Sequence, residues 1–176
     1  VFPRSAPLEV ELGSGDGSFL VSWAGVHTER NFVGVERLLG RADKMMRKAA
    51  RAGLENLQGL RIESSYFLQH LLPEHSAEAL HIYFPDPWPK KRHRRHRLIN
   101  EAFPELAKRA LVPGGSVYLR TDDRDYFEQM QSVFANVPKL FLPLKTPAEL
   151  QGVMTDFERE FNAQGIPTLR AAYRRC

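Results

Sequence analysis

The sequence predicts an α/β domain built on a mainly parallel sheet with helices on both faces. Three observations carry that reading. Short apolar runs alternate with segments of helical period along the 176 residues. The apolar runs are nearly continuous, as in strands covered on both sides. A glycine-rich turn, Gly13-Ser14-Gly15-Asp16-Gly17, separates the first run from the first helical segment, where glycine permits a tight turn and close approach of a ligand.

The elements follow in order. Leu8 to Leu12 reads as a buried strand, and a helix from about Ser18 to Val26 follows the glycine turn. Phe32-Val33-Gly34-Val35 is a second strand. Leu38, Ala42, Met45 and Ala49 then recur at helical spacing with Arg41, Lys44, Arg47 and Lys48 between them, and Gly53 ends that helix. Leu60 to Ile62 is a short third strand, and Tyr66 to Leu72 a helical turn or two. Leu80 to Phe84 is a fourth strand, Leu98 to Ala110 a helix, Pro113-Gly114-Gly115 a turn and Ser116 to Leu119 a fifth strand. A helix from about Asp125 to Ala135 is followed by a proline-rich loop, a helical turn over Thr155 to Phe161 and a closing strand near Thr168 to Tyr173. Ligands of such sheets bind beyond the carboxyl ends of the strands, and the loops after strands one, two, four and five meet at that edge.

Composition sets the limits. The length fits one domain, 1–176, with a proper core. No apolar run approaches the roughly 18 residues of a membrane span, and no signal peptide is visible. The start at Val1, almost at the first strand, predicts a missing N-terminal piece. Cys176 is the only cysteine, which excludes an intrachain disulfide and a Cys-rich metal site and fits a reducing cytoplasm. The sequence leaves monomer and homodimer equally open.

Two constellations carry chemistry. In the first, Glu11 precedes the glycine turn and Glu36 ends the second strand, nineteen residues beyond Gly17. A carboxylate at the position of Glu36 is placed to accept from a ribose diol. A glycine-rich turn alone needs no ligand, but strand, helix and acid in register favour a nucleoside cofactor. Pyrophosphate loops space their glycines G-x-G-x-x-G, whereas the spacing here is G-x-G-x-G with acids at Glu11 and Asp16. Acids suit a cationic ligand, and S-adenosylmethionine carries an ammonium and a sulfonium. The turn Leu111-Val112-Pro113-Gly114-Gly115 also resembles one typical of class I methyltransferases.

In the second, Phe84-Pro85-Asp86-Pro87-Trp88-Pro89 runs into Lys90-Lys91-Arg92-His93-Arg94-Arg95-His96-Arg97. The prolines fix φ and hold the loop extended. The basic run contains six Lys/Arg and no acid in a chain of net charge +4, so all other residues sum to −2. A solvated helix start is the plain explanation for such a run. Like charges this dense repel one another, and a polyanionic partner explains them better. His93 and His96 have no other ligand cluster near them in sequence, so no metal is expected.

With these motifs, followed by Thr121-Asp122 and Thr155-Asp156-Phe157-Glu158, the chain resembles the bacterial tRNA (guanine-N7-)-methyltransferases from Glu11 to Arg174. The resemblance implies a Rossmann-like class I methyltransferase fold with a seven-stranded sheet, S-adenosylmethionine as cofactor and tRNA as partner, with a variable-loop guanosine as target. It implies that Glu11, Glu36 and the turn of Gly13, Gly15 and Gly17 bind the donor, and that Asp86 stands at the catalytic centre beside it. Lys90, Asp122 and Thr155, Asp156, Phe157 and Glu158 would contact substrate, and Arg92, His93, Arg94, Arg95, His96 and Arg97 the RNA. After the third strand the family has Asp or Asn at a further donor contact. Here Arg61-Ile62-Glu63-Ser64-Ser65 offers Ser64 at the aligned position and Glu63 as the alternative.

Guanine N7 carries an in-plane lone pair, so its methylation needs alignment rather than a general base. The ring becomes cationic, and a carboxylate at Asp86 would stabilise that charge. An Arg fork on O6 and N7 would block the reacting atom. The opposite edge presents donors and calls for carboxylates, with Asp86, Asp122 and Glu158 as candidates. Three rivals keep parts of this reading: methylation of an exocyclic amine, a non-catalytic RNA-binding module, and a nicotinamide oxidoreductase. The displaced second proline and basic block count against the first, the retained donor acids against the second, and the glycine spacing against the third.

Overall fold

The computed structural model describes residues 2–176; Val1, the basis for expecting a preceding segment, lies outside them. One sheet is formed by β1 (Leu8–Leu12), β2 (Asn31–Glu36), β3 (Leu57–Arg61), β4 (Ala77–Tyr83), β5 (Leu111–Thr121), β6 (Phe141–Pro143) and β7 (Leu169–Arg175), in the order β3-β2-β1-β4-β5-β7-β6. β1 to β5 are parallel, and β7 inserts antiparallel between β5 and β6. The order reverses between β1 and β4, and that switch opens a crevice at the carboxyl ends of the central strands.

Strand alternation assigns the two faces. Val10, Leu80, Ile82, Val117 and Leu119 pack on one face against Phe67 and Leu68, Phe103 and Phe134. Those partners come from α3 (Ser64–Tyr66) with its π-helical continuation Phe67–Leu71, from α4 (Phe103–Ala110) and from α5 (Arg124–Ala135). The other face receives Phe19, Leu20 and Trp23 of α1 (Ser18–Val26), Met45 and Ala49 of α2 (Leu39–Arg51), and Leu150 of α6 (Ala148–Gly152). α7 (Asp156–Ala163) precedes β7.

That second face is polar along its middle. Glu9, Glu11, His81 and Arg120 are all buried there. Glu9 accepts from Trp23 Nε1 at 2.8 Å and Arg30 Nη1 at 3.1 Å and lies 2.8 Å from His81 Nε2. Burial alone would raise its pKa, but His81, Trp23 and Arg30 together hold it below the usual carboxylate value. Met45, fully buried, fills the space between three glycines. A Cβ at Gly17 would come within 2.4 Å of its Cγ, one at Gly34 within 2.5 Å of its Sδ, and one at Gly59 within 2.8 Å of its Cε. Glycine at these points is what lets α2 settle on the sheet.

Several boundaries differ from the sequence expectation. The helix expected from Leu98 starts only at Phe103, where Pro104 occupies the first turn and its missing N–H costs nothing. Pro113-Gly114-Gly115 is not a turn before β5 but a bulge within it: Ala77 pairs Leu111 while Ala79 pairs Ser116, with Gly114 at φ 78°. β6 and α6 lie in the stretch read as a proline-rich loop.

Candidate active site

The glycine turn is pinned by its own backbone. Gly13 N–H and Ser14 N–H both donate to Val35 O, at 2.8 and 2.9 Å. Gly15 N–H donates to Glu36 Oε2 at 3.0 Å, and Leu38 N–H to Oε1 at 2.7 Å. Gly13 and Gly15 have φ of 80° and 56°, and a Cβ on either would meet nothing within 4 Å. Backbone conformation, not crowding, therefore demands glycine here, and the turn faces open space.

That space is two adjoining cavities of about 350 and 320 Å3 that share Gly13, Arg41 and Phe84. The first is lined also by Glu11, Ser14, Asp16, Tyr83 and Phe157. The second is lined by Glu36, Glu63, Ser64, Asp86, Trp88 and His96. Glu11 is only 3% exposed, and its Oε2 has no hydrogen-bond partner. Burial pushes its pKa well up; Arg120 opposes this, and Asp16 and Glu36 add to it. An unpartnered buried carboxylate is costly and asks for a cation. At the rim the balance is opposite: Asp16 would be raised by partial burial, yet Lys44 and Lys48, at 2.7 and 2.8 Å, hold it down to about 2.

The proline-rich loop leaves β4 through two non-glycine residues in the left-handed region, Phe84 at φ 51° and Trp88 at φ 44°. It is therefore twice bent rather than extended, and each such residue costs about 1–3 kcal/mol. Two contacts hold it: Phe84 N–H donates to Arg120 O at 2.8 Å, and Arg97 Nε donates to Pro87 O at 2.6 Å. Arg97 is 1% exposed, donates to Gln129 Oε1 at 2.7 Å and Asp125 Oδ2 at 2.6 Å, and stacks 4.6 Å over the Tyr126 ring. Asp86 is exposed between these anchors. Trp88 lies 5.2 Å from the His96 ring and 6.0 Å from His93.

The basic run folds as a 3₁₀ helix, Lys91–His96. Lys90, Lys91, Arg92, Arg95 and His96 are exposed, and His93 and Arg94 are half-buried. Arg94 pairs with Asp125 Oδ1 at 2.8 Å. Asp122 is exposed just past β5, at the same sheet edge as Asp86. Thr155 caps α7 by accepting from Glu158 N–H at 3.0 Å, and Asp156 N–H donates to Ser18 Oγ at 3.1 Å, which fastens α7 beside the glycine turn.

A family model described as a putative methyltransferase matches residues 5–171. The chain is 37% identical, over 99% of its length, to a tRNA (guanine-N(7)-)-methyltransferase of Halorhodospira halophila, and 34% identical, over 94%, to that of Nitrosococcus oceani. The Thermotoga maritima relative is 32% identical over 96% of the chain. The chain spans 77%, 70% and 54% of these relatives' lengths. It belongs to the tRNA (guanine-N7-)-methyltransferase family. Among solved structures, the 16S rRNA methyltransferase KamB superposes with TM-score 0.67 at 19% identity, covering 98% of this chain and 89% of that one. An rRNA methylase from Streptococcus thermophilus gives 0.64 at 13%, covering 97% and 87%. These two establish the class I methyltransferase fold.

For a member of this family the arrangement fits the donor: an orphaned buried acid, an open glycine cradle and a fixed carboxylate line one continuous cleft. Both sequence candidates after β3 lie on its wall. Glu63 already caps α3, accepting from Ser65 N–H at 3.0 Å and Tyr66 N–H at 2.8 Å, which leaves Ser64 the less occupied of the two. Two expectations are corrected. Glu158 is fully buried, paired with Arg120 at 2.8 Å and with Arg170, so its carboxylate anchors α7 to the sheet rather than facing a base. Arg97 is a strut under the Pro87 carbonyl rather than a phosphate contact. Sequence reasoning missed Arg41, Lys44, Ser18 and Tyr83 on the cleft wall, and the anchors Asp125 and Gln129. The last two sit four apart on α5, a spacing that places them on one face.

No helix among the described residues is long and apolar enough to cross a membrane. No group of three or more His, Cys, Asp or Glu among them is arranged to hold a metal.

Proposed function

We propose that the chain methylates N7 of a guanosine in the variable loop of tRNA, in the cytoplasm, with S-adenosylmethionine as donor and no metal. One observation carries this reading: the exposed Asp86 shares a cleft with the orphaned Glu11 and the glycine cradle, in a chain of this family. When bound, the donor supplies an electrophilic methyl group on a sulfonium.

The chain's own residues divide the remaining work. Glu11 holds a cationic group of the donor, gaining the partner its Oε2 lacks. Glu36, fixed by Gly15 and Leu38, keeps lone pairs for ribose hydroxyls. Ser64, with Glu63 beside it, borders the same nucleoside. Asp86 faces the guanine and stabilises the positive charge the ring gains on alkylation; no proton moves, because N7 already carries its lone pair. Asp122 reads the N1–H and amino edge. Thr155, Asp156 and Phe157 form the wall of the cleft that Glu158 holds in place. Lys90, Lys91, Arg92 and Arg95 take phosphates, with His93, Arg94 and His96 beside them.

Unmodified tRNA incubated with labelled donor, followed by nucleoside analysis, tests this. The expected product is 7-methylguanosine, and Asp86→Asn should lower its rate roughly 100- to 1000-fold. A methylated exocyclic amine, or full activity of both Asp86→Asn and Asp122→Asn, would sink the reading.

A further inference from the structure

The charge of this chain is concentrated in two segments, only one of which the proposed function uses. Residues 37–51 contain Arg37, Arg41, Lys44, Arg47, Lys48 and Arg51 against the single acid Asp43. With the run 90–97 they hold +11 of a chain whose net charge is +4, so everything else sums to −7. These segments lie on opposite walls of one cavity: Arg37 and Arg41 line it from the α2 side, Trp88 and His96 from the side of the 3₁₀ helix.

α2 sorts its residues strictly. Ala42, Met45 and Ala49 are buried, whereas Arg41, Lys44, Arg47 and Arg51 are exposed in a stripe that leads away from the cleft. At 1.5 Å per residue the stripe from Arg41 to Arg51 is about 15 Å long. Lys44 and Lys48 are paired with Asp16. Among the described residues, the side chains of Arg37, Arg47 and Arg51 make no hydrogen bond or ion pair, so no internal contact accounts for them. An anionic membrane is the rival partner for a basic amphipathic helix. Here Ala42, Met45 and Ala49 already pack under the sheet, and the large apolar side chains left exposed, Leu38 and Leu39, sit at the cleft end of the helix, away from Arg47 and Arg51.

We infer that the exposed face of α2 is a second phosphate-binding track, so that RNA spans the cleft between α2 and the 91–96 helix. This rests on the proposed tRNA substrate and adds where a second stretch of its backbone lies. Arg47 and Arg51, which line neither cavity, are the test residues. Arg47→Gln/Arg51→Gln should make the slope of log K for tRNA against log salt about 1.4–1.8 units shallower, since each lost phosphate contact removes roughly 0.7–0.9. KM for tRNA should rise, with the rate at saturating tRNA and the donor affinity unchanged. Arg47→Lys/Arg51→Lys should keep the wild-type slope. Combination with Arg92→Gln/Arg95→Gln should add the two slope changes, as for one polyanion touching both walls.

An unchanged slope in the Gln variant, with wild-type protein still binding tRNA and making 7-methylguanosine, overturns this inference alone. A wild-type protein that does not bind tRNA overturns both. Binding to phosphatidylserine vesicles that disappears in the Gln variant, with the tRNA slope intact, assigns the stripe to a membrane instead.

Discussion

Glu9 and Glu11 stand two residues apart on β1 and point to the same face of the sheet, yet they live in opposite worlds. Glu9 has three partners and a lowered pKa, and Glu11 has a buried oxygen with none and a raised one. The difference teaches how scaffold and site separate at the two ends of one strand. At the amino end the fold satisfies its own polar groups. At the carboxyl end it leaves a cost standing that a cationic ligand can remove.

Removing the satisfied acid should do the greater damage to the fold. Glu9→Ala leaves Trp23 Nε1 and His81 Nε2 without a partner, while Arg30 keeps Glu78 and His81 keeps Tyr83. It should cost about 3 kcal/mol of stability, since breaking a buried charged network is expensive. Donor affinity should stay within about twofold, as read by chemical denaturation beside calorimetry. A donor affinity that collapsed with Glu9 would erase the contrast between the two ends. Glu11→Gln should do the reverse. Donor binding should weaken by about 2 kcal/mol, or ~30-fold, the worth of a hydrogen bond to a charged group. The melting temperature of the ligand-free protein should hold or rise, and a clear fall would show that Glu11 belongs to the scaffold.

Arg97→Lys extends the contrast to the catalytic loop. A lysine cannot reach Pro87 O, Asp125 and Gln129 together, so kcat should fall about tenfold through misplacement of Asp86. The salt slope of tRNA binding should stay as in wild type, and a shallower slope would return Arg97 to the phosphate contacts.

The smallest effect is in pH. Glu11 binds its proton more tightly folded than unfolded, so its contribution is full below the ordinary glutamate value and is lost as pH rises through the raised one. Glu9 runs the other way: its contribution is present above the ordinary value and is lost as pH falls through its lowered one. Melting curves from about pH 4 to 8 for wild type, Glu9→Gln and Glu11→Gln should therefore change slope in opposite senses. Donor affinity should rise with pH until Glu11 is ionised, and Glu11→Gln should flatten that rise.

Much of this was legible in the residues. Strands β1 and β2, the glycine turn and the acid at Glu36 are local patterns, set by periodicity and backbone permissiveness, and the structure has them close to where the sequence puts them. β3 and β4 each begin three residues earlier than expected, and β6 lies in the stretch read as a loop. What escaped was set by partners distant in sequence. Arg97 looks like its neighbours in the run, and only Asp125 and Gln129, about thirty residues on, take it out of solvent. Glu158 sits in a motif that reads as a substrate contact, and Arg120, 38 residues away, makes it an anchor. The bulge at Gly114 is invisible to propensity, because glycine and proline announce a turn and a bulge in the same letters.

Met45 gives the packing under the glycine turn a clock. Its side chain is fully buried, with the sulfur against Gly34 and the carbons on either side of it against Gly17 and Gly59. Peroxide can reach it only when α2 lifts from the sheet. The rate of sulfoxide formation at this one position, followed by mass spectrometry, would report how often the floor of the donor site opens. A saturating donor should slow it in proportion to how firmly it holds that floor shut.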